Sequence, residues 1–349
     1  NGPASARLAV AESLTNLAAA RIKSISDVSL SANWMCASQN KKSLATLYRM
    51  VEAIGLDFCT KLGINIPVGK DSLSMEAKWK DQNNESIESS APVTLIVSAY
   101  APVIDITQNL TPQIKPLEDS VLLLIDLGEN KNRLGGSIFS IVQQSKMTEP
   151  ADCDDPELLA DFFRAIQTLN DCGIIEAYHD RSDGGLFVTI AEMAFSSRTG
   201  VSLDVSKWKD PVPLLFSEEP GAVIQIRKSN LTQALDFLSE TTQLSPHVHL
   251  IGEPNKSKTI SISYKNAGRH VFGLRDLLEA FSQNSHSIQS LRDNQDTANE
   301  ELLAISDLSD PGLGMQYKAA PLSKCTFDSQ PKVAILREQG VNGHVEMAA

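Results

Sequence analysis

Glu12 and Asn16 stand four residues apart in an Ala- and Leu-rich stretch. On an α-helix that spacing sends a carboxylate and an amide out from one face, one turn apart. Such oxygens suit a hard cation like Mg²⁺, which is held by one or two carboxylates together with nucleotide phosphates. The same pair also fits an ordinary solvated helix face. Tyr178-His179-Asp180-Arg181-Ser182-Asp183-Gly184-Gly185 is denser. Carboxylates, a hydroxyl, an imidazole and a guanidinium precede two glycines, which let backbone approach a ligand and open a helix whose N-terminus favours anions. The plainer alternative makes Asp183 a helix cap, Asp180 a turn residue and His179 a hydrogen-bonded core histidine.

Gly69-Lys70-Asp71-Ser72 looks like the tail of a phosphate-binding loop. The P-loop spacing is absent, because Asp71 follows Lys70 and Ile64 stands where the first glycine belongs. Lys70 beside Asp71 could still meet a phosphate or a carboxylate, or lie in an exposed turn. Arg133-Leu134-Gly135-Gly136-Ser137 points to close backbone approach. Glu218-Glu219 reads as a charged strand start, with metal ligation as the alternative.

The elements that must position these groups follow from periodicity. Residues 4–21 form a helix of Ala, Leu and Val at helical spacing, and 44–62 a second helix closed by Gly63. Short strands are expected at 28–30 and 93–100, with an exposed hairpin or loop at 80–90. Thr111-Pro112, Lys115-Pro116 and Glu118-Asp119 mark a domain boundary. Beyond it strands (120–127, 221–227, 249–251) alternate with helices (156–172, 186–195, 231–241), an α/β pattern. Residues 274–301 read as a polar helical stretch, 307–329 as a linker, 331–336 as a buried strand, and 345–349 as the start of a helix.

At 349 residues the chain has room for two domains, and a net charge of −12 is the wrong sign for wrapping nucleic acid or an anionic membrane. No apolar run approaches the roughly 20 residues that span a bilayer. Five scattered cysteines with no C-x-x-C pair suggest neither disulfides nor zinc, and fit a cytoplasmic protein or one of an organelle matrix. The absence of a leader before Asn1, and the strand-turn-helix start at the other end, imply a piece of something longer.

Together the motifs Ala32-Asn33-Trp34-Met35, Pro67 to Met75, Leu134 to Ser137, His179 to Gly185 with Ala191 to Phe195, Leu291 to Asn294, and Lys332 to Gly343 resemble the large form of phosphoribosylformylglycinamidine synthase, in the same order and across residues 4–349. The resemblance implies an α/β (α+β) aminoimidazole ribonucleotide synthetase-like fold. It assigns 1–112 to a partial first subdomain with β-barrel strands, 118–265 to a complete C-terminal α/β subdomain, 266–330 to a helical segment and linker, and 331–349 to the start of a glutaminase domain. It further implies an ATP-dependent carbon–nitrogen ligase of purine biosynthesis, acting on formylglycinamide ribonucleotide and glutamine. This stretch would be the second synthetase copy, with the first copy and the glutaminase domain as partners in one chain.

By motif, Glu12, Asn16 and Asp180 align with Mg²⁺ ligands. Ser182, Lys70, Asp71, Ser72, Gly184 and Gly185 align with nucleotide (ATP or ADP) contacts, at a site that holds nucleotide without turnover. No catalytic residue is assigned, and none of the five cysteines sits in a nucleophile turn. Pro220 stands where the family carries Leu, so a local kink is expected there and less weight falls on Glu218 and Glu219.

Overall fold

A computed structural model describes residues 1–265, 268–310, 332–341 and 343–349. The chain opens with α1 (Gly2–Leu17), whose apolar face buries Ala6, Val10, Ala11 and Leu14. Then come β1 (Ser29–Met35), α2 (Lys41–Glu52), a π-helical turn (Ala53–Phe58) and α3 (Cys59–Leu62). The single helix expected over 44–62 is therefore interrupted, and the burial pattern explains why. Met50, Ile54, Phe58 and Leu62 all face the core, a four-residue repeat that drifts around a 3.6-residue helix; one wider π-turn brings the later members back to the buried side. Gly63, at φ +68°, closes the helix in the left-handed conformation as expected.

β2 (Asn65–Ser72) lies parallel to β1, so Gly69-Lys70-Asp71-Ser72 is strand rather than loop. Gly69 is needed there, since a Cβ on it would stand 2.6 Å from the Ala32 carbonyl oxygen. β3 (Glu76–Lys80) and β4 (Ser86–Ser90) form an exposed hairpin, and β5 (Thr94–Tyr100) runs antiparallel to β1. The strands read as barrel material thus form a sheet of order β2-β1-β5 beside a separate hairpin.

The second half of the unit is built on a mixed seven-stranded sheet. Its elements are β6 (Ser120–Asp126), α4 (Ile138–Val142), α5 (Pro156–Asp171), β7 (Ile175–Asp180), α6 (Gly185–Ser197), β8 (Gly200–Asp204), α7 (Pro211–Phe216), β9 (Gly221–Arg227), α8 (Leu231–Thr241), β10 (Val248–Asn255), β11 (Thr259–Tyr264) and β12 (Gly268–Gly273). The sheet order is β12-β11-β8-β10-β6-β9-β7. Both faces of β6, an interior strand, are covered. Val121, Leu123 and Ile125 of β6 enter the core shared with α1 and α5, while Leu122 and Leu124 enter a second core under α6. Two buried faces turn the alternating pattern of a strand into the continuous run Val-Leu-Leu-Leu-Ile. α5 contributes Leu159, Phe162, Phe163 and Ile166 to the first core, each burying apolar surface that stabilises by roughly 1.5–3 kcal/mol.

α9 (Leu274–Arg292) and α10 (Gln295–Ser306) complete a compact unit, Asn1–Leu308. In the second unit, Ser309–Ala349, residues 332–338 are irregular rather than a strand, and α11 (His344–Ala348) follows. A strand exists through its ladder, and residues 332–338 pair with no neighbour among the described residues. Most of the expected linker lies outside the described residues. None of the helices among the described residues is long and apolar enough to cross a membrane.

Candidate functional site

The two segments singled out by their chemistry come together. Asn16 on α1 donates from Nδ2 to Asp180 Oδ1 (3.3 Å), at the end of β7. Two residues earlier on β7, the buried Tyr178 hydroxyl donates to the carbonyl of Thr15, the residue before Asn16 on α1. Arg7, earlier on the same helix, makes a paired contact with Asp152, Nε to Oδ1 at 2.9 Å and Nη2 to Oδ2 at 2.5 Å. α1 is therefore tied at both ends to the second half of the unit.

The loop after β7 is fixed from behind by Arg181. This residue is 1% exposed. It ion-pairs with Asp126 and donates to the carbonyls of Glu219 (2.5 Å) and Pro220 (3.1 Å). Asp126 also accepts from the backbone N–H groups of Gly128 (3.2 Å) and Asn130 (2.6 Å). Arg181 holds the Asp126 carboxyl below the usual carboxylate range, against the opposing effect of burial. Of the charged groups in the motif, the guanidinium is thus an internal strut, which leaves His179, Asp180 and Ser182 to face outward.

Two consecutive glycines at positive φ, Gly184 (+80°) and Gly185 (+71°), turn the chain into α6. A Cβ on Gly185 would meet the Ser217 carbonyl oxygen at 2.5 Å. The N–H of Gly184 donates to Glu218 Oε1 at 3.0 Å, and the same oxygen accepts from Ile138 N at 2.9 Å. Gly184 and Gly185 therefore shape the turn, and the Glu218 carboxylate holds the N–H of the residue that precedes α6.

A cleft of about 600 Å³ opens between α1, β5 and this loop, lined by Glu12, Asn16, His179, Asp180, Ser182 and Glu192 with Leu95, Ile96 and Val97 as an apolar wall. His179 bridges two carboxylates, Nε2 to Glu192 Oε2 at 2.8 Å and Nδ1 to Asp180 Oδ1 at 3.3 Å. Burial alone would lower its pKa, but these two hydrogen bonds raise it to about 9. The Glu12 carboxyl is raised, first by desolvation and then by Asp183, Asp180 and Glu218. Glu218 is raised too, by desolvation and by Asp183, against the N–H groups it accepts. Carboxyls raised by burial and by one another mark negative charge in excess, the condition a bound cation relieves.

The donor set fits Mg²⁺: two carboxylates and an amide, with room for phosphate oxygens. A half-turn of the Asn16 amide would present its carbonyl to a cation. No group of three or more His, Cys, Asp or Glu among the described residues is arranged to hold a metal by itself. Lys70 and Asp71 do not line this cleft; they line a shallow depression on β2 with Trp34 and Pro67, and Lys70 Nζ donates to Ser72 Oγ at 2.9 Å.

Glu218 and Glu219 carry more than the sequence reading allowed them. Glu219, 0% exposed, takes Arg133 through Nε (2.7 Å), Nη2 (2.8 Å) and its backbone N (2.9 Å). It is a buried anchor and not a solvated strand start. Pro220 does no harm to the sheet, because the β6–β9 ladder begins at Gly221 and runs without a shift to Arg227. The expected kink is not seen in that ladder, since a residue ahead of the first pair has no ladder N–H to lose.

Residues 1–102 match the FGAR-AT PurM_N-like domain, and residues 118–265 match the C-terminal domain of AIR synthase related proteins. Over 99% of its length the chain is 42% identical to phosphoribosylformylglycinamidine synthase of Schizosaccharomyces pombe. The chain fits a fragment of the large phosphoribosylformylglycinamidine synthase. It spans 27% of the length of that relative. Among solved structures it is similar to PurL of T. maritima complexed with ATP (TM-score 0.50, 12% identity, 74% of this chain and 38% of that one). It is also similar to the hydrogenase maturation protein HypE in complex with ATP (TM-score 0.54, 17% identity, 77% and 78%). At those identities the likeness speaks to the fold, which is AIR synthase-like. The structure adds Glu192 to the site; its only signal in the sequence was its place in Ala191-Glu192-Met193-Ala194-Phe195.

Proposed function

We propose that this chain supplies the Mg²⁺–nucleotide site of an ATP-dependent carbon–nitrogen ligase, which converts formylglycinamide ribonucleotide, glutamine and ATP to formylglycinamidine ribonucleotide, glutamate, ADP and phosphate. The observation that carries the reading is the meeting of Glu12 and Asn16 on α1 with Asp180 and Ser182 after β7 around one cleft. Glu12, Asp180 and the turned amide of Asn16 would hold the cation, and Ser182 would meet the nucleotide. Bound Mg²⁺ would supply charge neutralisation for the phosphates. His179, kept protonated between Asp180 and Glu192, orients both carboxylates. Arg181 and the two glycines hold the loop. The S. pombe relative and the ATP complexes of PurL and HypE support the reading.

Within this function the site holds nucleotide as an auxiliary, structural element. Its lining offers ligands and a doubly hydrogen-bonded histidine but no cysteine, and burial pushes the Cys59 thiol up to about 11 and raises Cys153 further from reactivity. The rest of the longer polypeptide would provide turnover, the glutaminase chemistry and the ammonia, in the cytoplasm or an organelle matrix. The test supplies Mg²⁺–ATP with glutamine or ammonia to this chain and, in parallel, to the longer enzyme. Nucleotide binding without ADP release by this chain supports the auxiliary reading; ADP release dependent on formylglycinamide ribonucleotide would overturn it.

A further inference from the structure

Away from the cleft, a pocket of about 320 Å³ forms where the segment after β8 meets the end of β11, lined by Lys207, Trp208, Lys209, Pro211, Tyr264 and Lys265. Three cations and two aromatic rings share it, and no Asp or Glu among the described residues lines it. In a chain of net charge −12 that composition runs against the surface average. The neighbouring carboxylates are committed to backbone: Asp204 accepts from Ser206 N (2.9 Å), and Asp210 accepts from Val212 N (3.1 Å) as the cap of α7.

The rings are held in place before any ligand arrives. Lys207 Nζ lies 4.2 Å from the centre of the Trp208 ring and donates to the Leu250 carbonyl at 3.2 Å, while His249 meets Trp208 edge-on at 5.6 Å between ring centres. His270 packs edge-on against Tyr264 at 5.2 Å. Lys207 is thus engaged. Lys209 and Lys265 line the pocket as exposed side chains, with no salt bridge to a carboxylate among the described residues, and can meet an anion. Fixed aromatic surface with nearby ammonium groups recognises a planar ring by stacking and a phosphate by charge. The volume lies at the lower end of the small-ligand range.

We propose that this pocket binds a small aromatic phosphate of mononucleotide size, its ring against Trp208 and Tyr264 and its phosphate between Lys209 and Lys265. The site is separate from the cleft and needs no metal. The test uses the full chain with Trp34→Phe and Trp79→Phe, so that Trp208 is the sole emitter. AMP is titrated in the presence of a chelator, with adenosine and inorganic phosphate as separate arms, and circular dichroism melting verifies the fold of each variant. The expected result is saturable quenching by AMP at a lower concentration than adenosine needs, no quenching by phosphate, and at least a tenfold loss of AMP affinity in Lys209→Glu/Lys265→Glu. Unchanged emission with AMP, equal action of adenosine, or a smaller loss in a folded double variant overturns the proposal. If the parent background fails to fold, calorimetric titration of AMP with chelator into the unmodified chain and into Lys209→Glu/Lys265→Glu decides by the same tenfold criterion.

Discussion

Replacing Arg133 by Met should destabilise the protein far more than removal of a surface ion pair. Arg133 supplies Nε and Nη2 to Glu219, which is fully buried, and Nη2 also donates to the Asp152 carbonyl at 2.8 Å. Removing the guanidinium leaves the Glu219 carboxylate in the interior with only the backbone N–H groups of Arg133 (2.9 Å) and, more distantly, Asp152 (3.4 Å). Breaking a buried pair from one side costs about 3–5 kcal/mol, whereas a solvent-screened pair such as Lys256 with Glu118 contributes little. For the unit Asn1–Leu308, at about 2.1 cal/mol/K of unfolding entropy per residue, the buried-pair cost corresponds to a fall in Tm of roughly 5–8 °C. Arg133→Met/Glu219→Leu should recover much of the loss, because no uncompensated charge remains. The assay is chemical and thermal unfolding of the parent, both single variants and the double variant, read as a mutant cycle. If Arg133→Met melts within about 2 °C of the parent, or the double variant is as unstable as the sum of the singles, the buried-charge reasoning fails.

Two further outcomes follow from the cleft wall. His179 has its pKa raised from 6.5 to about 9, so the stability it contributes is complete below pH 6.5 and is lost as pH rises through about 9. Unfolding measured across that window should show a decline that His179→Gln removes, and an identical pH profile in that variant would contradict the assignment. Gly185→Ala places a Cβ against the Ser217 carbonyl at a positive φ, and should lower stability by more than about 1 kcal/mol in denaturant unfolding; a neutral result would mean that the turn before α6 is not constrained as described.

The parts of this fold most legible in sequence were those where one physical pattern acts alone. The apolar run of β6, the amphipathic α5 and the Gly63 cap each answer to burial or to a positive φ, and each lies where periodicity put it. The interrupted helix at 53–58 escaped because a four-residue burial repeat looks helical locally and departs from the helix only over several turns. β8, β11 and β12 escaped because short strands are defined by their neighbours: β8 and β11 pair residues about 60 apart in sequence, as in Ile260 with Val201, and β12 is the edge-strand hairpin partner of β11. In the site, the helix spacing of Glu12 and Asn16 and the density of the 178–185 motif were readable from the chain alone. The roles of Arg181, Glu218 and Glu219 were not, since a charged residue read in isolation gives no sign of whether it faces water or a buried partner. Arg181 looked like a candidate for chemistry and is a strut; Glu218 and Glu219 looked like solvated acids and hold the loop from behind.

In the proposed function α1 and the loop after β7 build one metal–nucleotide site. The most direct test is isothermal titration of ADP with Mg²⁺ into this chain, into Glu12→Ala and into Asp180→Ala, with the fold of each checked by its melting curve. One saturable binding event is expected, dependent on Mg²⁺ and weakened by at least about tenfold, 1.4 kcal/mol, in each variant. Binding that is indifferent to Mg²⁺, or that survives in both folded variants, would contradict that reading.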